Sequence, residues 1–457
     1  MSEWSPQSWR SLPKYQMAEW EDEAVADKVF AKLGKLPPLV QAKECDRLKS
    51  LLAEAGRGER FMVQGGDCAE RFLDCESERL ETQLKLILQM GMILEHISGK
   101  PIGKICRVAG QYGKPRSKPT EVVEGLGEIM SFKGDNINGF DPKDRKWDPQ
   151  RLLEGYWHSA ATLNFLRGYA ANGDHTPVQS IEISDLKGSE HAASYTADAQ
   201  AIAQKPLSSE QLEFFTSHEA MQLDLEEALT RAVGSKYYNL SAHLVWIGDR
   251  TRQLDCAHIE YFRGISNPIG VKVGPSMKND ELKDLVTVLN PKKEEGRLML
   301  ITRYGAGKAE AMLPGHIQAV KESGVPVTWQ CDGVHGNGVV ASNKLKTRCF
   351  DDIMTEILEV IAIHQRCGSV LGGIHLEVTG QSSVTEVVGG SMNITEDMLL
   401  QNYETYCDPR LNYAQAIEAT FRVANEMPSA ERAESAESPK LGGELPSPPR
   451  NIRTAIC

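Results

Sequence analysis

The chain is poor in aromatic residues and lacks any long apolar run. Phe, Trp and Tyr make up 7% of its 457 residues. The longest apolar window, LILQMGMIL from Leu86, is far too short to cross a bilayer. The N-terminal residues show neither the apolar core of a secretory signal nor the amphipathic pattern of a transit peptide. We therefore expect a cytoplasmic protein without a membrane partner.

Positive charge is also scarce. The chain has 51 Lys and Arg residues against 63 Asp and Glu residues, which gives a net charge of −12. This balance argues against nucleic acid as a partner. Because the rest of the surface should repel anions, local clusters of cations indicate a site for an anionic small molecule.

The ten cysteines form no CxxC pair and show no spacing typical of a disulfide framework. In a chain of this length, such a distribution predicts reduced thiols in a cytosol-like compartment. A small disulfide-stabilised secreted fold is therefore excluded.

Seven apolar, strand-like stretches each stop at a charged or metal-binding side chain. They read FMVQGGDC, IGKICR, LVWIGDR, IGVKVG, LMLITR, VTWQCDGVH and GGIHLE. In a barrel of parallel strands all strands end on one face, and active sites lie there. We therefore predict an α/β fold, a (β/α)8 TIM barrel with an N-terminal extension and an inserted helical segment. Its active site would collect Cys68, Arg107, Arg250, Lys272, Arg303, His335 and Glu377.

Composition along the chain predicts additions to this barrel. Residues 1–38 form a polar arm with too few apolar residues for a core of its own, and residues 39–427 form the catalytic barrel. Within the barrel, the weakly periodic segment 181–216 predicts an inserted, poorly packed helical region, and a helix is expected from Ser217 to about Val233. Residues 428–457 have almost no apolar side chains, which predicts disorder.

Two of the stretches place charge where a buried strand should be apolar. In GGIHLEVTG, His375 and Glu377 share one face of the strand, and a carboxylate there needs a partner such as a divalent metal. In GVKVG, Lys272 lies between valines and needs a counter-charge, which a bound phosphate or carboxylate would supply. The alternative is a structural salt bridge within the barrel, for instance between Lys272 and Glu377.

A glycine-rich loop, RVAGQYGKPRS, concentrates the cations Arg107, Lys114 and Arg116. Arginine forks match phosphate oxygens, and glycines let backbone N–H groups approach them. The alternative is a solvated basic loop, but Arg250 and Arg303 place cations at two further strand ends. The pattern therefore favours one or two substrates with several phosphate or carboxylate groups.

Taken singly, Cys68 and His335 are more typical of packing and hydrogen bonding than of metal binding. Together with Glu377 and Asp408 they would give one sulfur, one nitrogen and two oxygen ligands. That set suits Mn²⁺, Fe²⁺, Co²⁺ or Zn²⁺ and does not choose among them. Spacing alone does not select these four residues from the chain.

Ten motifs occur in a fixed order along the chain. They are GGDCAE, RVAGQYGKPRS, GDNINGF, SHEA, SAHLVWIGDRTRQLDCAH, NPIGVKVGPS, LITRYGA, CDGVHGN, GGIHLEVTG and CDPRLN. In these motifs the chain resembles the type II 3-deoxy-D-arabino-heptulosonate 7-phosphate (DAHP) synthases, the plant, fungal and bacterial long form. The resemblance runs from EWSPQSWRSLP to about Met427. It implies a metal-dependent 3-deoxy-7-phosphoheptulonate synthase, a transferase that joins phosphoenolpyruvate, D-erythrose 4-phosphate and water at the first step of the shikimate pathway.

The resemblance also implies roles for individual residues. The metal ligands would be Cys68, His335, Glu377 and Asp408, holding Mn²⁺ or Co²⁺, with Zn²⁺ or Fe²⁺ as alternatives. Phosphoenolpyruvate would contact Arg107, Asp249, Arg250, Lys272 and Arg303, and erythrose 4-phosphate would contact Lys114, Arg116 and Ser117. Arg107, Arg250 and Lys272 would be catalytic, with Lys272 transferring a proton. Because members of that family assemble partly through the N-terminal arm, the resemblance implies a homodimer or homotetramer.

Some positions depart from the family pattern. Asp249 replaces the usual Glu, and Gly333, Val334 and Gly338 replace Pro, Met and Thr around His335. The insert is shorter than usual and lacks a helix pair linked to feedback inhibition in some members. Two alternatives follow: a synthase of the same fold that uses another aldose phosphate, or a non-catalytic regulatory paralogue. The leading hypothesis remains a DAHP synthase, which could be a divergent copy serving specialised aromatic metabolism.

Overall fold

Eight parallel strands close into a barrel in the computed structural model of the chain, which describes residues 3–173 and 175–427. The predicted (β/α)8 fold is confirmed. The tail 428–457, for which disorder was predicted, lies outside the described residues. In chain order the strands are β1 (Phe61–Gly66), β2 (Ile102–Arg107), β3 (Thr120–Val123), β4 (Gly127–Met130), β5 (Phe215–Glu219), β6 (Thr230–Val233), β7 (Lys236–Asn239), β8 (Leu244–Ile247), β9 (Ile269–Val273), β10 (Leu298–Thr302), β11 (Thr328–Asp332), β12 (Gly338–Val340), β13 (Lys346–Arg348) and β14 (Leu371–Glu377).

The barrel order is β1-β14-β11-β10-β9-β8-β5-β2, and the other six strands form three antiparallel hairpins, β3-β4, β6-β7 and β12-β13. The helices are α1 (Glu23–Leu33), α2 (Ala42–Arg57), α3 (Ser77–Ser98), α4 (Gln150–Asn172), α5 (Thr176–Gln179), α6 (Ala192–Ala203), α7 (Ser209–Leu212), α8 (Leu223–Ala228), α9 (Ala257–Gly264), α10 (Asn279–Leu289), α11 (Ala309–Ser323), α12 (Phe350–Arg366) and α13 (Tyr413–Glu426). Short 3₁₀ helices cover Ser8–Ser11, Phe72–Asp74, Pro142–Asp144, Ser184–Leu186 and Asp397–Leu400.

Most of the barrel strands form because their residues are largely apolar on both faces, as expected for parallel strands covered by helices. Met62, Ile105 and Leu244 belong to an interior cluster that is closed by Leu48 and Leu52 of α2. Helix α2 therefore seals the amino-terminal end of the barrel. This leaves the opposite end, where the strands finish, for the site.

The eighth barrel strand is β5, which the sequence analysis did not find. The helix expected from Ser217 to about Val233 is wrong, since this stretch contains the end of β5, the short helix α8 and the β6-β7 hairpin. Strand β5 has few apolar residues, but its polar residues Thr216, Ser217 and His218 are buried. Parallel pairing with β2 and β8, rather than local periodicity, determines this strand.

The predicted insert and arm both pack against the barrel of the same chain. In α6, Tyr195 is buried and its ring stacks on Phe421 with centroids 4.3 Å apart, so the poor packing expected for this segment is not found here. In the arm, Trp9 is fully buried and its Nε1 donates to Glu227 Oε2 at 2.9 Å. The insert and the arm are therefore ordered by contacts with the rest of the chain, although neither has enough apolar residues to form a core of its own.

Most of the described cysteines agree with the expected absence of a disulfide framework. Cys349 is the exception, because it is disulfide-bonded. Free thiols are carried by Cys45, Cys68, Cys75, Cys106, Cys256, Cys331, Cys367 and Cys407.

Among the described residues, none of the helices combines the length and apolar character that crossing a bilayer requires.

Candidate active site

The carboxyl ends of the barrel strands bring the predicted strand-end residues together. Arg107 and Glu377 are the last residues of β2 and β14, and Lys272 is the last but one of β9. Arg303 directly follows β10, and Cys68 follows β1 by two residues. Residues separated by more than 300 positions in the chain therefore surround one end of the barrel.

Five buried side chains form what we call the floor of the site: Arg107, Lys272, Asp332, His375 and Glu377. Arg107 Nη2 donates to Glu377 Oε1 at 3.0 Å, and the Lys272 ammonium donates to the Asp332 carboxylate. His375 Nε2 lies 2.7 Å from Arg107 Nη1 and 3.2 Å from Lys272 Nζ. Each charged group of the floor thus has a partner within the floor.

The structural salt bridge that the sequence left open for Lys272 does occur, but with a different partner. Lys272 pairs with Asp332 and not with Glu377, whose Oε1 instead pairs with Arg107. Asp332 ends β11 and escaped the sequence analysis. This pairing does not exclude a ligand, since Lys272 also borders the cavity described below.

The four predicted metal ligands lie at one side of the floor. The donor atoms of Cys68, Glu377 and Asp408 lie within 4.8 Å of one another. His335 Nε2 lies 2.9 Å from Glu377 Oε1 and so joins the group through that carboxylate. The structure therefore brings together four residues that span three loops and one strand.

The chemistry of these residues fits a divalent metal ion. One sulfur, one imidazole and two carboxylates suit an ion of the Mn²⁺ to Zn²⁺ series. His335 Nδ1 lies 2.7 Å from Asp332 Oδ2, which orients the ring so that Nε2 is directed at the group. Burial raises the pKa of the Cys68 thiol, so its thiolate form requires positive charge nearby. Lys114 Nζ, at 2.8 Å from Cys68 Sγ and 2.7 Å from Asp408 Oδ2, marks the place where positive charge is stabilised.

Both carboxylates of the group are held in their ionised form. Burial alone would raise the pKa of Glu377, but His335 and Arg348 lower it well below its usual range. Arg348, which ends β13, donates from Nη2 to Glu377 Oε2 at 2.8 Å. The Lys114 ammonium lowers the pKa of Asp408. Ionised oxygens are the form that binds a cation.

A buried arginine ties two of the ligand loops together. Arg410 donates from Nη1 to Asp67 Oδ1 at 2.5 Å and from Nη2 to Glu386 Oε1 at 2.7 Å. Asp67 directly precedes Cys68, and Arg410 follows Asp408 by two residues. The network therefore fixes the distance between the thiol and the carboxylate.

Six partly exposed or exposed side chains form what we call the rim: Lys114, Arg116, Ser117, Asp249, Arg250 and Arg303. All six line a cavity of about 580 Å³, together with Lys272 and His335. Arg250 Nη2 donates to Ser117 Oγ at 3.0 Å, and Arg303 Nη1 donates to Asp249 Oδ2 at 3.1 Å. The rim thus places several cations around a space large enough for small phosphorylated molecules.

The loop that carries Lys114 is anchored by a carboxylate that sequence reasoning missed. Buried Glu70 accepts hydrogen bonds from the backbone N–H groups of Ala109, Gly110 and Gln111 at 2.8, 2.9 and 2.6 Å. Burial nevertheless raises the pKa of Glu70 to about 7. Since Glu70 lies two residues after Cys68, it couples the loop of the candidate metal ligand to the cationic loop.

The Lys272 ammonium has a pKa that is shifted toward neutral pH. Burial lowers its pKa to about 8; the Asp332 carboxylate opposes this shift and the Arg107 guanidinium adds to it. The ring of Trp246 lies beneath both cations, with its centroid 5.3 Å from Arg107 Cζ and 5.9 Å from Lys272 Nζ. An amine that titrates near neutral pH can both bind an anion and exchange a proton.

Sequence reasoning also missed four residues around the floor and the cavity: Asp332, His375, Arg348 and Glu219. Two of them carried a usable signal, since Asp332 ends an apolar stretch and His375 shares a strand face with Glu377. Arg348 lies in a short hairpin without any such pattern. Glu219, which lines the cavity, ends the strand that was misread as a helix.

Comparison with known proteins agrees with this geometry. The model of the Class-II DAHP synthetase family matches residues 4–424 of the chain. The phospho-2-dehydro-3-deoxyheptonate aldolase of Neurospora crassa is 42% identical over 469 positions, which cover 96% of this chain and 97% of the relative.

Two bacterial relatives are similar over most of their length. The phospho-2-dehydro-3-deoxyheptonate aldolase of Streptomyces coelicolor is 42% identical, covering 91% of this chain and 96% of the relative. The phospho-2-dehydro-3-deoxyheptonate aldolase of Mycolicibacterium smegmatis is 39% identical, covering 90% and 92%.

Proposed function

Because the chain belongs to the class-II DAHP synthetase family, we propose that its barrel mouth condenses phosphoenolpyruvate with D-erythrose 4-phosphate and water. The products would be DAHP and inorganic phosphate. The observation that carries the proposal is the meeting of Cys68, Glu377 and Asp408 with His335, beside the buried cations of the floor. The family match and the names of the relatives do not favour another aldose phosphate or a non-catalytic paralogue.

Charge and burial suggest how the two substrates divide the site. Phosphoenolpyruvate carries a phosphate and a carboxylate, which would meet Lys272, Arg250 and Arg303 in the cavity, with Asp249 orienting Arg303. Arg107, which is joined to Lys272 through His375, would contact the same ligand from the floor. The phosphate of erythrose 4-phosphate would meet the loop residues Lys114, Arg116 and Ser117. Arginine forks match these anionic groups, and a buried ammonium binds them as a point charge.

Cys68, His335, Glu377 and Asp408 would hold the divalent ion, for which we propose Mn²⁺ or Co²⁺, with Zn²⁺ or Fe²⁺ as alternatives. When bound, such an ion polarises the aldehyde of the sugar phosphate as a Lewis acid. Asp332 supports this arrangement, since its carboxylate orients the His335 ring and neutralises Lys272.

The protein's own residues would then position the reactants. The methylene carbon of phosphoenolpyruvate forms a bond to the aldehyde carbon, and Lys272 donates the proton that converts the aldehyde oxygen to a hydroxyl. Water adds to the neighbouring enol carbon and gives up both of its protons, one to Lys272 in place of the proton already donated and one to the leaving phosphate. The carbon–oxygen bond to phosphate breaks, which releases phosphate and leaves a ketone. Arg107 and the rim arginines hold the phosphate and carboxylate throughout, so that positioning and electrostatics supply most of the rate.

The direct test is consumption of phosphoenolpyruvate by the purified protein with erythrose 4-phosphate and Mn²⁺ or Co²⁺, with and without a chelator. We expect metal-dependent release of phosphate together with DAHP. A panel of aldose phosphates checks acceptor choice. No consumption with any metal or acceptor between pH 6 and 9 would contradict the proposal.

We further propose a cytoplasmic location and a homodimer or homotetramer in which residues 1–38 contact a second copy. In the arm, Trp9 is buried against its own chain, whereas Tyr15 is 43% exposed and is therefore free to contact a second copy. Light scattering tests this assembly, and a pure monomer at micromolar concentration would contradict it.

A further inference from the structure

A histidine lies between the two buried cations of the floor and contacts both. His375 Nε2 is 2.7 Å from Arg107 Nη1 and 3.2 Å from Lys272 Nζ. Guanidinium groups only donate hydrogen bonds, so Nε2 must be the acceptor. The single ring proton is therefore on Nδ1, and the imidazole is neutral.

A glutamine on the neighbouring strand holds this tautomer. Gln64 Oε1 lies 2.9 Å from His375 Nδ1 and accepts a hydrogen bond from its N–H group. The other end of the amide is also fixed, because Gln64 Nε2 donates to Ser217 Oγ at 2.9 Å and the Ser217 hydroxyl donates to the Cys106 carbonyl at 3.2 Å. Reversing the amide would place two N–H donors against each other at His375. The hydrogen bonds thus run in one direction, from the cations to a backbone carbonyl.

All members of this chain of hydrogen bonds are buried inside the barrel. Gln64, Ser217 and His375 are each 0% exposed and lie on β1, β5 and β14. A buried network of this kind is stable only when each member is satisfied. Its members come from separate strands, so it also depends on the eighth strand that the sequence did not reveal.

A second buried glutamine provides a natural contrast. Gln330 on β11 is also 0% exposed, but neither its Oε1 nor its Nε2 has a hydrogen-bond partner among residues 3–173 and 175–427. Burial in the barrel therefore does not by itself require a glutamine to join a network. The ordered contacts of Gln64 are specific to the floor.

We propose that Gln64 and Ser217 are positioning residues that, through His375, hold Arg107 and Lys272 side by side for an anionic ligand. Two adjacent cations repel each other, and a neutral acceptor between them offsets part of that repulsion. A proton on Nε2 would instead face donors from both cations. The inference rests on the proposed function, because it takes phosphoenolpyruvate as the ligand of these cations.

The test compares Gln64→Leu with its matched control, Gln330→Leu, since both replace a buried barrel glutamine by a side chain of similar size. We expect Gln64→Leu to weaken phosphoenolpyruvate binding and to raise its KM by about tenfold, as for a buried donor, His375 Nδ1–H, that is left without its acceptor. The KM for erythrose 4-phosphate and the metal concentration for half-maximal activity should stay within about twofold, because the Gln64 side chain bonds to Ser217 and His375 and not directly to the residues assigned to the sugar phosphate or the metal. Gln330→Leu should leave all three constants within the same margin.

A second pair of variants covers the case in which Gln64→Leu does not fold. His375→Leu should weaken phosphoenolpyruvate binding by about 100-fold, since two charged donors lose their acceptor. His375→Gln, whose carbonyl oxygen can take the place of Nε2, should recover part of that loss. Thermal unfolding of each variant separates a folding defect from a binding defect.

Calorimetric binding of phosphoenolpyruvate to the Mn²⁺-supplemented protein keeps this inference separate from the proposed function. If the wild type binds phosphoenolpyruvate but forms no DAHP, the function fails while the comparison of variants still decides the inference. Equal losses in Gln64→Leu and Gln330→Leu, or equal rises in the KM of both substrates, would overturn it.

Discussion

The floor and the rim of the site hold the same kinds of side chain under opposite conditions. Floor residues are at most 6% exposed and bind one another, whereas rim residues such as Arg250 and Ser117 are exposed. Breaking a buried charge pair costs about 3–5 kcal/mol, whereas an exposed pair contributes about 0–1 kcal/mol. The comparison teaches that the fold fixes the floor before any substrate arrives, whereas the exposed pairs of the rim cost little to break and so are available to a substrate.

The largest effect should follow from Glu377→Gln, which tests the floor most severely. Arg107 and Arg348 would keep their charges but lose their common carboxylate. We expect a stability loss of about 3–5 kcal/mol in urea unfolding. Activity should fall by at least about 100-fold, because the same carboxylate is a candidate metal ligand.

The matched control is Glu310→Gln, which breaks an ion pair on the surface. Arg366 and Glu310 expose 55% and 60% of their side chains. We expect less than about 1 kcal/mol of stability change and normal activity. Similar losses in the two variants would remove the distinction between buried and exposed pairs.

The next largest effect is a pH dependence of phosphoenolpyruvate use, which tests the role of Lys272 as a cation of the floor. The pKa of Lys272 is about 8 in the folded protein and 10.5 in its ordinary state. The pH dependence of kcat/KM reports the pKa values of groups in the free enzyme. The kcat/KM for phosphoenolpyruvate should therefore fall by up to about tenfold per pH unit above pH 8, because the Lys272 ammonium loses its charge. Lys272→Arg keeps its charge and should lack this fall, whatever its absolute activity.

The same shift predicts the sign of a stability effect. Between about pH 8 and 10.5 the unfolded chain retains the Lys272 proton that the folded protein has lost. The unfolded state then binds more protons, so this residue's contribution to stability rises with pH across that window. Urea unfolding of the wild type and Lys272→Met at both ends of the window measures it, and an opposite sign would contradict the buried-lysine account.

A smaller effect is expected at Glu70, which anchors the loop that carries the rim residues Lys114, Arg116 and Ser117. Glu70→Gln exchanges one acceptor oxygen for an NH₂ group that faces backbone N–H donors of the cationic loop. We expect a rise of about fivefold in the KM for erythrose 4-phosphate, as for one poorly satisfied buried group. The KM for phosphoenolpyruvate should change less, and an equal rise in both values would mean that the loop does not act separately.

The smallest effect should come from Ser117→Ala on the rim. This change removes the hydrogen bond from Arg250 Nη2, but both side chains are exposed to water. We expect a change of about twofold in the KM for erythrose 4-phosphate and at most about 0.5 kcal/mol in stability. A loss comparable to that of Glu377→Gln would contradict the division into floor and rim.

Most cations of both the floor and the rim could be predicted from the sequence, whereas the floor residues Asp332 and His375, which pair with those cations, were missed. Seven of the eight barrel strands were found as apolar runs that stop at or near a charged or metal-binding side chain, since parallel strands buried on both faces are near-continuous apolar runs. Strand β5 was missed because Thr216, Ser217 and His218 are polar and still buried. The loop residues Lys114, Arg116 and Ser117 have no periodic pattern, so only the family resemblance assigned them to a sugar phosphate.

The sequence by itself determined which chemical groups stand at the strand ends, because apolar runs and their final residues are local features of the chain. Only the tertiary structure decided which groups meet. Lys272 pairs with Asp332, 60 positions away, rather than with Glu377, and His375 receives its tautomer from Gln64, 311 positions away. The physical reason is that such pairs depend on the order and register of strands around the barrel, which long-range hydrogen bonding and packing fix only when the barrel closes.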